Sequence, residues 1–163
     1  MTIEQVNQLE LAGFVEQVGW VFEHSPWVAE RTFASRPFAN LTELHRALWQ
    51  SVEAASRDEQ LALLCAHPDL GTRARISDAS QGEQAGAGLD HLTPDEFERL
   101  SRANATYRDK FGFPFLFAVK GSTKCDILEA IERRVHATGG GEFATALEQV
   151  FRIAGFRLQD IIQ

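Results

Sequence analysis

The stretch that decides the fold runs from residue 93 to residue 115 and reads TPDEFERLSRANATYRDKFGFPF. Thr93, followed at once by a proline and then by Glu96, is typical of a helix start, because the hydroxyl and the carboxylate can both cap backbone N–H groups. Gly112, with a proline two residues further on, is a helix stop. Between them apolar residues recur at helical spacing, at Phe97, Leu100, Tyr107 and Phe111. The stretch predicts a long helix that ends at Phe111 and continues into an extended segment.

Similar signals for the start and end of a helix recur along the rest of the chain. Further pairs with the spacing of a capping box are Thr2 with Gln5, Ser56 with Glu59, and Ser80 with Glu83. Glycines 139–141 separate a helix ending near His136 from a long terminal helix, whose apolar positions are Phe143, Leu147, Val150, Ala154 and Ile161. We therefore expect about eight helices.

The best candidate for a strand is Phe115 to Val119. This run is short, lies between two helices and has no evident pairing partner, so it is better interpreted as a buried extended connector. Its buried backbone groups would need hydrogen-bond partners. The sequence thus predicts an all-α fold, a compact bundle of about eight helices without significant sheet, with residues 1–163 as a single domain.

Composition limits the classes of partner. The 163 residues are 44% hydrophobic, which suffices for a sizeable core. The net charge is -7 and no Lys/Arg stripe is present, so a nucleic acid would be repelled. No apolar run is long enough for a membrane span, and the polar start of the chain is unlike a secretory leader. We expect a soluble, cytoplasmic protein that binds neither nucleic acid nor membrane.

The two cysteines, Cys65 and Cys125, lie in apolar or helical surroundings without a CxxC pair or a histidine at zinc-ligand spacing. The sequence predicts two buried, reduced thiols and no metal site.

His67 is the first candidate for chemistry. Residues 61–66 are consecutively apolar, and Pro68 disfavours helical geometry at His67, so a helix should end with the imidazole at its C-terminal edge. The helix dipole there favours imidazolium while burial opposes it, which suits a proton-transfer residue. The alternative is that His67 merely caps the helix.

Residues 80–84 read SQGEQ and form the second candidate. The spacing of Ser80 and Glu83 matches a capping box, which is a structural device. A helix start also offers backbone N–H groups and a positive dipole end to an anionic or carbonyl-rich ligand, with Glu83 and Gln84 as hydrogen-bonding side chains. The two interpretations are compatible.

Arg157 lies within the apolar stripe of the last helix. Such an arginine must extend its charged end to solvent or pair, and a guanidinium on a core face is also suited to clamp a carboxylate. We assign no catalytic role to Asp69, His24, His45 or His91, and we expect His45 on a helix surface.

Four blocks and a terminal pair together resemble one enzyme family, the decarboxylases of 2-oxo-4-hydroxy-4-carboxy-5-ureidoimidazoline (OHCU). They span nearly the whole chain: GWVFEHSPW at 19–27, HPDL at 67–70, SQGEQ at 80–84 leading to GLD at 88–90, YRDKFGFPF at 107–115, and Arg157-Leu158.

The resemblance implies an all-helical homodimer that converts OHCU to (S)-allantoin and CO₂ in uric acid breakdown. It implies no cofactor and no metal, because the substrate carries its own electron sink. His67 would be catalytic, assisted by Glu83. Around the ligand would lie Pro68, Ser80, Gln84, Arg157 and the backbone of Phe115, Leu116, Phe117, Ala118 and Val119. The segment from Gly71 to Ala79 is shorter than is usual in the family, and Phe117 stands where smaller residues are common, so the pocket shape should differ.

Two other readings account for the same residues. In a hydrolase, His67 and Glu83 would activate a water molecule, with a metal held by His67, Asp69 and His91. A helical interaction module would use His67 and Glu83 only as caps.

Overall fold

The structure is a computed structural model that describes residues 1–72, 77–138 and 140–163. Within these ranges the chain forms nine α-helices and no strand, which confirms the predicted all-α class. None of these helices is long and apolar enough to cross a membrane. The helices are α1 (Ile3–Gln8), α2 (Leu11–Val18), α3 (Trp27–Thr32), α4 (Leu41–Glu53), α5 (Arg57–Cys65), α6 (Asp78–Gly86), α7 (Pro94–Phe111), α8 (Lys124–Arg134) and α9 (Gly141–Ile161).

Residue contacts divide the chain into two compact units. The first unit comprises Met1–Ala66 and Phe151–Gln163, and the second comprises His67–Val150. Helix α9 therefore contributes its N-terminal part to the second unit and its C-terminal part to the first. The organisation of residues 1–163 as a single domain stays a prediction.

In the first unit, α3 packs against both α2 and α4. Helix α4 turns Leu44, Leu48 and Val52 inward, and each of these side chains is fully buried. Their spacing of four residues is that of one helix face, so burial of this apolar stripe holds the helix in place.

His45, expected on the surface, is half-buried in this unit instead. Its ring stacks on Phe151 with the centroids 4.0 Å apart, and its Nε2 lies 2.9 Å from the Phe151 carbonyl oxygen. A Cβ at Gly155 would lie 2.7 Å from His45 Cε1, so the glycine leaves room for the ring. Burial lowers the pKa of His45, which favours the neutral imidazole. Helical position alone could not show this, because the stacking partner is far away in sequence.

In the second unit, α7 packs against α8. Tyr107 is fully buried, and its ring contacts Phe111, Phe113 and Phe115 at centroid distances of 4.6, 5.9 and 5.4 Å. Such edge-on and tilted aromatic contacts add to the free energy gained by burying apolar area. An aromatic cluster around Tyr107 is therefore part of the core of this unit, beside aliphatic residues such as Leu100, Ile127 and Ile131.

Most of the predicted helix ends are confirmed. Capping boxes are present at Thr2, Ser56 and Thr93. Gly112 ends α7 in the left-handed conformation, with φ of 80°, which glycine adopts without strain. Helix α8 ends at Arg134, close to the predicted His136, and Gly139 lies outside the described residues.

The predicted capping box of Ser80 with Glu83 is wrong. Helix α6 begins at Asp78, and its cap is Ser77, whose Oγ accepts a hydrogen bond from the Ser80 N–H at 3.2 Å. Ser77 has the extended backbone that a cap requires, whereas Ser80 already lies within the first helical turn. The helix start is displaced by one turn because an earlier hydroxyl serves as the cap.

The prediction of two buried thiols is also wrong, since Cys65 and Cys125 are both exposed. The neighbouring Leu63 and Leu64 are fully buried, and Cys65 lies on the other side of α5. An apolar run on a helix does not bury every member, because successive residues point in different directions.

The cap of α7 provides a test of this helix assignment. We expect Thr93→Ala to lower the free energy of unfolding by about 1 kcal/mol, because it leaves the Glu96 N–H without its hydroxyl acceptor. Thr106→Ala is the matched control: Thr106 is exposed in the middle of the same helix, where alanine is at least as favourable. Urea unfolding followed by circular dichroism measures both variants, and an equal loss in the two would contradict the capping role.

Candidate active site

His67 lies two residues beyond the end of α5, and its side chain is 5% exposed. Ala66 is the C-terminal cap of the helix, so the predicted helix end before His67 is confirmed. Pro68 follows directly, and its ring fixes the backbone φ at the start of the next turn. The sequence therefore places the imidazole at a rigid bend that is shielded from water.

The turn after His67 is tied to α6 by Gln84. Gln84 is 7% exposed, and its Oε1 accepts a hydrogen bond of 2.9 Å from the Gly71 N–H. Gly71 has a φ of 72°, and a Cβ there would lie 2.6 Å from Leu100 Cδ2, so this position requires glycine. One predicted ligand-binding side chain thus also fixes the backbone four residues beyond His67.

Helix α6 presents the predicted residues on one side. Ser80 and Gln84, four residues apart, are both buried, while Glu83 beside them is half-buried and Gln81 is exposed. The Ser80 N–H is engaged by the Ser77 hydroxyl. The helix therefore starts one turn before the predicted position, and ligand binding at this end of α6 stays a prediction.

The segment from Phe115 to Val119 is neither helix nor strand, and all of its residues except the half-buried Phe117 are buried. Its backbone has side-chain partners, as predicted for a buried connector. The Ala118 N–H donates to Gln149 Oε1 at 3.0 Å, and the Leu116 carbonyl accepts from Arg134 at 2.7 Å. Two distant helices therefore fix the conformation of this segment.

A buried polar network that sequence reasoning missed supports the same segment. The Tyr107 hydroxyl donates to Glu142 Oε1 at 2.6 Å, and Arg134 Nε donates to the same oxygen at 2.5 Å. The Arg134 guanidinium also lies 4.5 Å from the centre of the Phe115 ring. Burial, and then the hydrogen bond to Glu142, raise the pKa of Tyr107 far above its usual range, so the phenol stays protonated and donates. No local motif signals this network, because its members come from three different helices.

Arg157 lies in the first unit and is 3% exposed. Its NH1 donates to Glu23 Oε2 at 3.1 Å and to the Val21 carbonyl at 3.3 Å. Of the two outcomes expected for an arginine in an apolar stripe, pairing is confirmed. The partner, Glu23, belongs to the first of the resembling blocks, but sequence reasoning gave it no role. A clamp on a substrate carboxylate stays a prediction.

A cavity of about 360 Å³ opens beside the turn that follows His67. It is lined by residues 69–72 and by one face of α7 that includes Asn104 and Arg108. None of the predicted site residues lines it, so this cavity is distinct from the predicted pocket. Among the residues that the structure describes, no group of three or more His, Cys, Asp or Glu side chains is placed to hold a metal ion.

A family model described as OHCU decarboxylase matches residues 7–159. The chain belongs to the OHCU decarboxylase family. It is 50% identical to the OHCU decarboxylase of Haloferax volcanii over 160 residues, which are 98% of this chain and 95% of that protein. It is 46% identical to the uric acid degradation bifunctional protein PucL of Bacillus subtilis, covering 99% of this chain and 33% of that protein.

Two solved structures are similar to this chain. The structure of an (S)-allantoin synthase superposes with a TM-score of 0.81 at 36% identity, over 100% of this chain and 54% of that chain. A second structure, an OHCU decarboxylase in the presence of (S)-allantoin, has a TM-score of 0.70 at 21% identity and shows the likeness of fold.

The raised pKa of Tyr107 predicts a specific dependence of stability on pH. In the unfolded chain this phenol ionises near pH 10, whereas in the folded protein it remains protonated. The stability it contributes is therefore fully present below about pH 10 and is lost as the pH rises above that value. We expect the difference in free energy of unfolding between wild type and Tyr107→Phe to shrink in alkali.

The measurement is simplified because Tyr107 is the one tyrosine of the sequence. Tyrosinate absorbance should appear in alkali only together with loss of the helical circular dichroism signal. Tyrosinate formation near pH 10 in the folded protein would show that the buried network is not as described.

Proposed function

We propose that this protein decarboxylates OHCU to (S)-allantoin and CO₂, with His67 and Glu83 as the catalytic residues. The observation that carries the proposal is the family match over residues 7–159, supported by the 50% identity to a protein named OHCU decarboxylase. The buried imidazole at a fixed bend is the arrangement that a controlled proton transfer needs.

The reaction needs little beyond orientation and proton transfer. The bond between C4 and the carboxylate breaks, and its electron pair forms a C4=C5 double bond while the C5=N electrons move to nitrogen, which takes a proton. The C4 hydroxyl loses its proton and becomes a carbonyl, and C5 gains a proton. Because the imine accepts the electrons, we propose that no cofactor takes part.

His67 and Glu83 are proposed to carry these protons. His67 takes the proton of the C4 hydroxyl as carbon dioxide leaves, and Glu83 assists it from α6. His67 is buried and Glu83 is half-buried. Limited access of water favours delivery of a proton to one face of C5 over exchange with bulk solvent. One-sided delivery accounts for an S product.

The remaining predicted residues are proposed to bind the substrate. The backbone of 115–119 offers N–H groups to the carbonyl oxygens of the substrate and C=O groups to its ring and ureido N–H groups. The aromatic residues of this segment lower the local dielectric, so that the ionised carboxylate is disfavoured relative to carbon dioxide. Pro68, Ser80 and Gln84 complete the binding groups of the second unit. Arg157, already oriented by Glu23, is proposed to attract the acidic substrate.

The proposal extends to a cytoplasmic homodimer, as the resemblance implies. Sedimentation equilibrium of the purified protein tests the dimer directly: a mass near twice 18.2 kDa supports it and a mass near 18.2 kDa contradicts it.

The decisive experiment follows product chirality, since OHCU also decays without enzyme to racemic allantoin. OHCU is generated freshly from urate with urate oxidase and hydroxyisourate hydrolase, and circular dichroism reports (S)-allantoin. We expect His67→Ala to lower kcat by about 10² to 10⁴-fold, corresponding to roughly 3 to 5 kcal/mol of transition-state stabilisation.

His91→Ala is the matched control for His67→Ala, because its side chain is 84% exposed in the same unit. It should leave (S)-allantoin formation unchanged. Racemic allantoin at the background rate with wild type would reject the decarboxylase and leave a helical interaction module. Normal activity of a folded His67→Ala variant would reject only the catalytic assignment.

Metal analysis separates the decarboxylase from a metal-dependent hydrolase. We expect extensive dialysis against a chelator to leave the rate of (S)-allantoin formation unchanged, because the proposed reaction passes its electrons to the substrate imine. A stoichiometric divalent ion in the purified protein, with activity that is lost on its removal and restored on its return, would contradict the cofactor-free mechanism.

A further inference from the structure

Three successive residues of the turn after His67 are each held by a side chain from another helix. The Asp69 carboxylate pairs with Arg108 at 2.8 Å. The Leu70 carbonyl accepts from Asn104 Nδ2 at 2.9 Å, and the Gly71 N–H donates to Gln84 as described above. The turn itself is closed by a bond of 3.3 Å from the Thr72 N–H to the Asp69 carbonyl. Side chains of α6 and α7 therefore hold this backbone at three successive residues.

The three anchors differ in their surroundings. The Arg108 to Asp69 pair is 44% and 36% exposed, so solvent weakens it. The bond from Asn104 to Leu70 is fully buried, since these two residues are 5% and 8% exposed. A buried bond holds its geometry more tightly than an exposed ion pair, because no water competes for either group. Asn104 is therefore the strongest fixed point of the turn that does not belong to the predicted substrate pocket.

Asn104 interrupts an otherwise apolar stripe. Leu100 and Tyr107, which lie one turn before and one turn after it on α7, are both almost completely buried. An apolar residue between them would cost no desolvation, whereas the Asn104 amide must leave water. Within the described part of the chain, Asn104 Oδ1 has no hydrogen-bond partner, so the amide is only half satisfied. The one hydrogen bond that this amide makes is to the Leu70 carbonyl, at the wall of the cavity that both residues line.

The link from Leu70 back to His67 is short and stiff. Only Pro68 and Asp69 lie between them; the proline ring fixes one backbone angle and Arg108 restrains the next side chain. A displacement of the Leu70 carbonyl would therefore shift the backbone that carries the imidazole. Misplacement of a catalytic group by about 1 Å is enough to lower a rate by about 10²-fold.

We propose that Asn104 is a positioning residue that fixes the His67 imidazole for proton transfer through its buried hydrogen bond to the Leu70 carbonyl. The inference rests on the proposed function, because His67 is the group that it positions. Asn104 acts on the chemical step and not on substrate binding.

The test compares Asn104→Ala and Asn104→Leu with wild type. Both variants lose the donor to Leu70, but leucine has the branched shape and the heavy-atom count of asparagine and leaves no cavity, so a shared effect does not come from a cavity. In the chirality assay above, we expect kcat to fall by about 10- to 100-fold in both variants with KM within about twofold, because a group that acts only on the chemical step changes kcat alone. The excess of (S)-allantoin should fall with kcat.

Asn7→Ala is the matched control for the loss of an amide clamp. Asn7 lies in the first unit and holds the backbone of Phe38 by two bonds of 2.8 and 2.9 Å. Its removal should lower the unfolding midpoint while kcat remains that of wild type at a temperature where the protein is folded. A destabilised but fully active Asn7→Ala, beside slow Asn104 variants, supports the positioning role.

The outcomes separate this inference from the proposed function. If wild type is active, His67→Ala is inactive and folded Asn104→Leu keeps the wild-type kcat, the positioning role is wrong and the function stands. If Asn7→Ala loses kcat as far as the Asn104 variants do, the effect is general destabilisation and the positioning role is again wrong. If wild type forms no (S)-allantoin, the proposed function fails and this inference fails with it.

Discussion

The second unit depends on one constraint, which is that each buried polar side chain needs at least one hydrogen-bond partner. Two side chains of helix α7 form such buried hydrogen bonds. Tyr107 donates to the buried Glu142 carboxylate, whose charge is neutralised by Arg134, and Asn104 three residues earlier donates to the Leu70 carbonyl. An unpaired carboxylate or carbonyl at these depths would cost several kcal/mol. Helix α7 therefore holds the turn after His67 directly, through Asn104, and supports the connector indirectly, because Tyr107 and Arg134 share the Glu142 carboxylate and Arg134 bonds to Leu116.

Both irregular segments of the candidate site are held in this way. The turn after His67 is fixed at Leu70 and Gly71, and the connector is fixed at Leu116 and Ala118. In each case a backbone group outside the helices forms a hydrogen bond with a side chain of a helix. The consequence for function is a site made of irregular backbone that is nevertheless rigid, which suits an enzyme whose task is to orient a reactive substrate and control its protons.

Errors of the sequence interpretation share a cause. Ser80 and Glu83 have the spacing of a capping box, but Ser77 lies earlier in the chain and its hydroxyl caps the helix instead. Cys65 was expected inside because its neighbours are apolar, and the helix turned it outward. His45 was expected on the surface because it lies in the middle of a helix, and Phe151 covers it. Each error came from judging a residue by its neighbours in sequence, whereas burial is decided by neighbours in space.

The sequence by itself determined the all-α class, most helix ends and the bend at His67, because caps, glycine stops and the proline act within a few residues. It also determined the family, through motifs in order along the chain. Only the tertiary structure decided which side chains hold the site in place. Those contacts join residues 13 to 39 positions apart, as from Gly71 to Gln84 and from Asp69 to Arg108. No local pattern encodes such a pair, because its geometry exists only once the helices have packed.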